Sequence, residues 1–595
     1  MLRNIQHVIG LVLVLLLSAC IEQAEEQAAG NTSSPVVAQH ITAVNGEVDK
    51  IASEYLDKWM QRYPEGAYFY GLEASGHDSF SDNSPKTIAA WQATEDRLLQ
   101  QLAAVDVSEL LGTAVWINHG TLKEALESSI EQRVCRQELW GVDHMGGWHL
   151  NILQVVSRQP LASEDHRAQA LRRWSSVDEL VDREIANLNR GLAAGYSAAR
   201  AVAERVVAQL DGVLALPVSE SPFAALAPES ADDNYRQHML AVIDEQLMPA
   251  LARYRDYLRD TYVPNARESL SLYQNTDGEA CYQAMLRGYT SLKRSPDEVY
   301  ALGEKTVASH RQTVIALGRE LFGVEGFVET VEQLEQDESD RYRSKEEILT
   351  LSREIMQRAH EAMPDWFGTL PGTDVVLKPF PEYMEGTGRS AHYEAPSADK
   401  PGAYWIPLYK PELQRKSRNE VTAVHEAWPG HHLQIGIAQE LKGLHPVLKI
   451  LGNSGFVEGW ARYSEALAEE AGLYTTRTAL IARRTWPARG LVVDPGLHAF
   501  GWTRQQAIDF IAESRIAPLE AVADLVDRIA TIPGQMTAYD SGGLEFFALR
   551  ELAEKTLGDT FDIREFHSRV LENGMLPLPM LREYIEAWLG KQTAD

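Results

Sequence analysis

The stretch that most constrains the fold is residues 425–432, H-E-A-W-P-G-H-H, where a proline interrupts a histidine-rich helical pattern. On a continuous helix, His431 would lie about 240° around and about 9 Å along from His425. Zinc–nitrogen bonds of about 2.0–2.1 Å cannot bridge that gap. Pro429 forbids a continuous helix and Gly430 tolerates positive φ. We therefore expect the helix to stop or kink just before the proline, and a tight turn to bring a histidine back towards His425.

The chemistry of this stretch favours a metal site over a helix end with surface histidines. Three histidines and one glutamate fall within eight residues. Imidazoles and carboxylates are zinc ligands, and a glutamate beside a ligand histidine can act as general base towards water at the metal. The expected cofactor is Zn²⁺, held by His425 and by either His431 or His432, with Glu426 as the base.

The motif and four later stretches resemble the bacterial domain-of-unknown-function 885 family, which is itself similar to the gluzincin metallopeptidases. The resemblance covers most of the chain and is densest from about Tyr289 onward. The later stretches are 457–461 (V-E-G-W-A), 491–498 (L-V-V-D-P-G-L-H), 533–539 (from P-G-Q to the tyrosine) and 561–578.

This resemblance implies a ligand set. The family pattern favours His431 over His432 as the ligand after the Pro-Gly break, although the opposite assignment stays open. His432 would then hydrogen-bond substrate or a ligand carboxylate. Glu458 would be the third ligand, supplied by the next helix 27 residues after His431.

The resemblance also implies residues that stabilise charge during the reaction. His498 or Tyr539 would donate a hydrogen bond to the developing oxyanion. Asp494 would orient His498 through a hydrogen bond.

The expected fold is mainly α: a large multi-helix, gluzincin-like or neurolysin-like fold with a small antiparallel β subdomain beside the metal. Residues 371–409 are rich in Pro, Gly and aromatic residues, and 375–377, 391–393 and 403–406 are typical of short strands. The resemblance implies that the sheet edge pairs with extended substrate, with Tyr393 and Tyr404 as substrate contacts. The alternative is a purely structural hairpin.

Local signals place several helix starts and turns. Residues 295–298, 344–347 and 503–506 each match a capping box. Residues 489–498 and 533–535 predict turns containing Pro and Gly. The pair Gly542-Gly543 is expected to permit close backbone approach to a ligand.

The N-terminus predicts export and lipidation. Arg3 precedes an apolar run at 8–17 that is too short to span a membrane comfortably, and L-S-A-C at 17–20 looks like a bacterial lipobox. Cys20 would carry the lipid that anchors the protein to a membrane. Ile21 in place of Asp resembles outer-membrane sorting, facing the periplasm, in a Gram-negative host. A plain secretory signal or a short membrane anchor is the alternative.

We divide the chain into a signal peptide at 1–19, a lipidated cysteine with a disordered tether at 20–45, an N-terminal helical part at 46–290 and a metal-site part at 291–595. The last two form one catalytic unit. Cys135 and Cys281 remain in the mature chain, either as a disulfide or as two buried thiols. The 85 acidic residues outnumber 56 Lys and Arg, giving a net charge of −29. This balance argues against nucleic acid as a partner.

The sequence thus predicts a zinc-dependent hydrolase of the cell envelope that cleaves peptides. Two alternatives stay open. One is a metal-dependent hydrolase of non-peptide esters or amides. The other is a non-catalytic, lipid-anchored protein that binds zinc structurally.

Overall fold

The computed structural model describes residues 35–381, 385, 390–397, 400–515 and 517–593. The fold is mainly helical. The first helices are α1 (Pro35–Arg62), α2 (Pro85–Ala103), α3 (Ala114–Gln132), α4 (Trp148–Val156), α5 (Glu164–Ser175), α6 (Val177–Ala194), α7 (Arg200–Leu214), α8 (Asp233–Val242), α9 (Met248–Tyr257), α10 (Val263–Asn265), α11 (Gly278–Thr290), α12 (Pro296–Phe322), α13 (Phe327–Gln336) and α14 (Lys345–Trp366).

A small sheet then precedes the remaining helices. Its strands are β1 (Val375–Pro379), β2 (His392–Glu394) and β3 (Gly402–Ile406). The later helices are α15 (Lys416–Glu426), α16 (His431–Glu440), α17 (Ser454–Glu470), α18 (Thr478–Thr485), α19 (Arg489–His498), α20 (Arg504–Ala512), α21 (Leu519–Thr531), α22 (Gln535–Leu557), α23 (Ile563–Leu571) and α24 (Leu578–Gln592).

Two of the three expected capping boxes form completely. Ser295 and Thr503 each accept a hydrogen bond from the backbone N–H three residues on, and the Glu298 and Gln506 side chains bond back to the cap residue. At Ser344 only half of the box forms: the serine accepts from Glu347, as expected. The Glu347 carboxylate instead accepts from the backbone N–H of Arg343.

The three strands lie where the sequence predicts them, but the sheet is mixed rather than antiparallel. The strand order is β1-β3-β2. β2 pairs antiparallel with β3, whereas β1 pairs with β3 in parallel. Residues 380–401 separate β1 from β3, and a connection of that length permits the crossover that parallel strands need. Local strand signals carry no information on that direction.

The helical packing connects the two ends of the chain. The largest hydrophobic core joins residues of α1–α3, such as Val48 and Leu122, with residues of α14–α17 and α22–α24, such as Trp460 and Ile585. A second core lies within residues 80–266 and includes the fully buried Trp174. The division of the chain at residue 290 stays a prediction.

Two expectations about local structure are wrong. The predicted tether reached residue 45, but α1 begins at Pro35. Residues 489–498 form α19 rather than a turn, with Pro495 inside the helix. Every residue of α19 is buried, so packing on all sides of the helix outweighs the local preference of its proline and glycines.

The two cysteines of the expected mature chain are joined. Cys135 and Cys281 form a disulfide that links α11 to the turn after α3. Of the alternatives left open by the sequence, the structure therefore has the disulfide. No helix in the described ranges is both long and apolar enough to cross a membrane. The signal peptide and Cys20 lie outside the described residues.

Candidate metal centre

The break between α15 and α16 brings two histidines to one point. α15 ends at Glu426 and α16 begins at His431. The Gly430 N–H donates to the Val424 carbonyl at 3.0 Å, so the chain doubles back onto the end of α15. Gly430 has a negative φ, contrary to the reason given for it from sequence. Its role is close approach, because a Cβ there would overlap the His425 carbonyl oxygen.

Glu458 completes a cluster of three ligand-type side chains. Glu458 Oε2 lies 3.7 Å from His425 Nε2 and 3.6 Å from His431 Nε2. The three donor atoms all fall within 4.8 Å of one another. Bonds of about 2.0–2.1 Å in tetrahedral geometry would separate donor atoms by about 3.4 Å, close to the two distances from Glu458.

The polar atoms of the cluster are suited to bind a cation. Glu458 Oε2 is buried and has no hydrogen-bond donor within the described part of the chain. Burial alone would raise the pKa of Glu458, but the neighbouring His425 and His431 hold it below its usual value. The side chains of His425 and Glu458 are 13% and 19% exposed, so small molecules can reach the cluster. The donor set and spacing therefore fit a zinc ion.

Glu465 fixes the orientation of His425. Its Oε1 accepts from His425 Nδ1 at 2.9 Å, which leaves Nε2 as the lone-pair nitrogen facing Glu458. Arg462 in turn donates to the same Glu465 oxygen at 2.6 Å. A carboxylate behind a ligand histidine fixes its tautomer and raises its basicity. Glu465 lies seven residues after Glu458 on the same helix, α17.

Glu426 lies at the end of α15, next to the cluster. It is 9% exposed. Burial raises the pKa of its carboxyl to about 7, although the charge of His425 opposes the rise. The carboxylate accepts a hydrogen bond from the backbone N–H of Tyr393 in β2. Glu426 is therefore placed and tuned as a general base is expected to be.

Tyr539 reaches the cluster from α22. Its ring stacks on His425 with centroids 6.5 Å apart. Its hydroxyl lies close to the Glu458 carboxylate and to the guanidinium of Arg528 on α21. The expected turn ends at Gly534, so Tyr539 stands on a helix that starts earlier than the sequence had indicated.

Glycines bring Tyr539 and Glu458 together. A Cβ on Gly459 would lie 2.5 Å from backbone atoms of Gly542, and one on Gly542 would overlap the Gly455 carbonyl oxygen. Gly543 meets the stem of Arg462 in the same way. The pair at 542–543 therefore permits close contact between α17 and α22, and not the approach of a ligand as expected.

His432 is held away from the cluster. Its Nδ1 bonds to the Tyr393 hydroxyl at 3.1 Å, and its Nε2 bonds to the Thr373 carbonyl at 3.1 Å. With both nitrogens engaged, His432 is left without a free ligand atom, whereas His431 belongs to the cluster. Tyr393 contacts both His432 and Glu426, so it lies beside the cluster as expected.

Three sequence-derived assignments need correction. His498 is fully buried, and its ring nitrogens bond to the backbone of Leu272 and Ile529, so it cannot reach an oxyanion. Asp494 does not orient His498. Its carboxylate accepts from the Tyr282 hydroxyl and the Gly534 N–H, which fixes the start of the helix that carries Tyr539.

The third correction concerns Tyr404. It is fully buried, and its hydroxyl donates to Asn419 at 3.3 Å. Its cross-strand partner Tyr393 lies on the same face of the sheet, so the difference comes from the positions of the two strands. β3 is the central strand of the sheet and is buried at four of its five residues, whereas β2 is an edge strand.

A cavity of about 640 Å³ is separate from the cluster, since none of the three cluster residues lines it. Its walls come from both ends of the chain, with Arg62 and Trp148 on one side and Gly288 and Asn453 on the other. Asn453 caps α17, the helix that carries Glu458. The cavity thus opens beside the helix that supplies the third residue of the cluster.

These features define a class: a mainly helical protein with a partly buried His-His-Glu cluster of metal-ligand geometry. The chain belongs to the family described as "Bacterial protein of unknown function (DUF885)", whose model matches residues 64–585. No curated protein matches it.

Two solved structures share the fold. A "putative lipoprotein" from Colwellia psychrerythraea is 22% identical, with a TM-score of 0.82 over 92% of this chain and 99% of that chain. A "putative lipoprotein of unknown function" from Shewanella oneidensis is 17% identical, with a TM-score of 0.77 over 91% and 99% of the two chains. At these identities the likeness concerns the fold alone.

Proposed function

We propose that this protein is a zinc-dependent peptidase of the cell envelope, with a gluzincin-like arrangement of its site. The observation that carries the proposal is the cluster of His425, His431 and Glu458 beside Glu426. Three ligands leave a fourth tetrahedral position open, as in catalytic zinc sites, whereas structural zinc sites are closed by four protein ligands. In the described ranges, these three residues are the group of ligand-type side chains whose donor atoms lie close enough together to hold one metal ion.

The residues divide the chemistry among themselves. Zinc held by the cluster would supply Lewis acidity, polarising a carbonyl and lowering the pKa of water. Glu426 takes the proton from the attacking water at its carboxylate, and returns it to the leaving amine. Tyr539 donates its hydroxyl hydrogen to the oxygen of the carbonyl under attack. Glu465 keeps His425 in the tautomer that presents Nε2 to the metal.

The outer edge of β2 favours peptides over other amides and esters. The Tyr393 N–H is directed towards Glu426, so the edge of β2 that points away from β3 faces the site. An exposed edge of this kind can pair with the backbone of an extended peptide. The substrate chain would then lie along β2, with its carbonyl at the cluster.

The cell-envelope location rests on the lipobox at 17–20 and the disulfide of the folded part. The two structural relatives are also described as lipoproteins. We place the protein on the outer membrane, facing the periplasm. Cys20→Ala should release it from membranes on cell fractionation. Continued tight membrane association of that variant would contradict lipid anchoring.

The test is turnover of a mixed peptide library by the zinc-loaded mature protein, followed by mass spectrometry. Glu426→Gln keeps the shape of the side chain but removes the base, so turnover should fall by about 10²–10⁴ while zinc stays near one equivalent. Glu470→Gln, an exposed carboxylate on α17, is the matched control and should keep normal turnover. Equal turnover of the Glu426 variant and wild type would remove Glu426 from the mechanism.

A further inference from the structure

Arg528, on α21, places a positive charge beside the site. Its Nη2 donates to Gln535 Oε1 at 2.9 Å, and its guanidinium lies close to the Tyr539 hydroxyl. Within the described residues, no Asp or Glu forms an ion pair with it. Arg528 is partly exposed, so a solute can reach the guanidinium.

Arg462, on α17, provides a comparison, because it is an arginine near Tyr539 that is paired with acidic residues of the protein. Its guanidinium lies 5.5 Å from the centre of the Tyr539 ring, so it approaches the same side chain as Arg528. Arg462 is 11% exposed and is paired with Glu465 at 2.6 Å and Asp540 at 3.6 Å. Arg462 is therefore paired with acidic residues of the protein, whereas Arg528 has no ion-pair partner among the described residues and can bind an anion.

The Tyr539 hydroxyl sets the distance between Arg528 and the cluster. It lies close to both the guanidinium and the Glu458 carboxylate, and a hydroxyl between two hydrogen-bonding groups separates them by about 6 Å. A carboxylate bound to Arg528 would lie about 3 Å further from Glu458. An extended chain covers about 3.3–3.6 Å per residue, so one or two residues fit between the scissile carbonyl and such a carboxylate.

We propose that Arg528 binds the free C-terminal carboxylate of the substrate, and that the enzyme removes one or two residues from peptide C-termini. This inference rests on the proposed peptidase function and narrows its substrate class. Guanidinium matches a carboxylate with two parallel hydrogen bonds, which gives both affinity and orientation. The same hydroxyl that donates to the reacting carbonyl would then be held by the residue that recognises the chain end.

The experiment compares three peptides of one sequence: the free acid, the C-terminal amide, and the amide with Glu as its last residue. Wild type, Arg528→Met and Arg319→Met are tested in the zinc-loaded form. Arg319 is an exposed arginine paired with Glu325 and serves as the matched loss of charge. Two quantities are measured: kcat/KM for cleavage, and the affinity of each peptide for the same proteins carrying Glu426→Gln.

We expect wild type and Arg319→Met to prefer the free acid by about 10–100-fold, since a charged hydrogen-bonded pair contributes on that order. Arg528→Met should lose this preference, so that it cleaves the free acid and the amide with similar kcat/KM. The products should lack one or two C-terminal residues.

Several outcomes would overturn the inference. Equal cleavage of acid and amide by wild type at internal bonds would be one such outcome. Another would be cleavage of the Glu-terminated amide as fast as the acid, which would show that Arg528 recognises an acidic side chain. A uniform loss for all peptides in Arg528→Met would give Arg528 only a role in holding Tyr539. If wild type cleaves no peptide, the peptidase proposal fails, and affinity decides separately: selective binding of the acid that needs Arg528 supports the carboxylate site, and equal binding refutes it.

Discussion

Replacing Gly459 by alanine tests how the contact between α17 and α22 builds the cluster. The new Cβ would lie 2.5 Å from Gly542 Cα and C and 2.8 Å from the Gly543 nitrogen. Ordinary contacts begin at 3.4 Å, so the backbones must separate by about 3.4 − 2.5 = 0.9 Å. All the obstructing atoms are backbone atoms, and a rotamer change cannot relieve the overlap.

The expected cost follows from two opposing effects. Overpacking costs about 1–3 kcal/mol, or more where relaxation is blocked. Alanine in a helix interior recovers about 1 kcal/mol relative to glycine. The balance is a net loss of about 0–2 kcal/mol, and we expect its upper end because backbone atoms block relaxation. Gly212→Ala in α7 is the control, because no atom lies within 4 Å of its Cβ position. That variant should gain about 0.5–1 kcal/mol.

Glu458 precedes Gly459, so the same change should also weaken metal binding. Metal–ligand distances tolerate about ±0.2 Å, far less than a 0.9 Å separation of the helices. The assay combines thermal unfolding of the metal-free protein with zinc titration, and zinc affinity should fall at least about tenfold in Gly459→Ala alone. A Gly459→Ala protein as stable as Gly212→Ala, with unchanged zinc affinity, would refute the argument.

Three further predictions concern individual side chains. His431→Ala should lose stoichiometric zinc, whereas His432→Ala should keep it with about 10–100-fold lower activity. Metal analysis of both folded variants checks this. Zinc lost only from the His432 variant would reverse the ligand assignment. Tyr539→Phe should lower kcat more than it raises KM, because its hydrogen bond strengthens in the transition state. His498 has a pKa lowered to about 3 by burial, against 6.5 unfolded, so stability present above pH 6.5 is lost as the pH falls towards 3. At pH 5 the loss is about 2 kcal/mol. His498→Gln, followed by denaturation between pH 7 and 5, should show a shallower decline; an unchanged slope would contradict the assignment.

Local signals predicted the parts of the fold that depend on neighbouring residues. The caps at Ser295 and Thr503 satisfy backbone groups within four residues, and the structure retains both. Strand positions were predictable for the same reason. α19 was not, because its Pro and Gly content opposes a helix that only tertiary burial stabilises. The parallel pairing of β1 with β3 depends on a connection outside either strand.

The candidate site divides in a similar way. His425, His431, Glu458 and Tyr539 come together as the motif and the family resemblance implied. The residues that hold these side chains in position were not predicted, since their hydrogen-bond partners are distant in sequence. No sequence motif marks Arg528. Its proposed role rests on the absence of an acidic partner among the described residues. His498, although part of a family-like stretch, turned out to be a core residue.

The Pro-Gly insertion is stabilised by the helix that supplies the third ligand. The carbonyl of Pro429 accepts from Trp460 Nε1 at 2.9 Å and from Ser464 Oγ at 3.2 Å, both on α17. The turn that repositions His431 is therefore fastened to the same helix that carries Glu458. Pro429 lies between two helices, outside the hydrogen-bond ladder of either, and a buried carbonyl in such a position must be satisfied elsewhere. Because α17 provides both the donors and the ligand, the break that forbids the regular histidine spacing also fixes the position of the glutamate opposite.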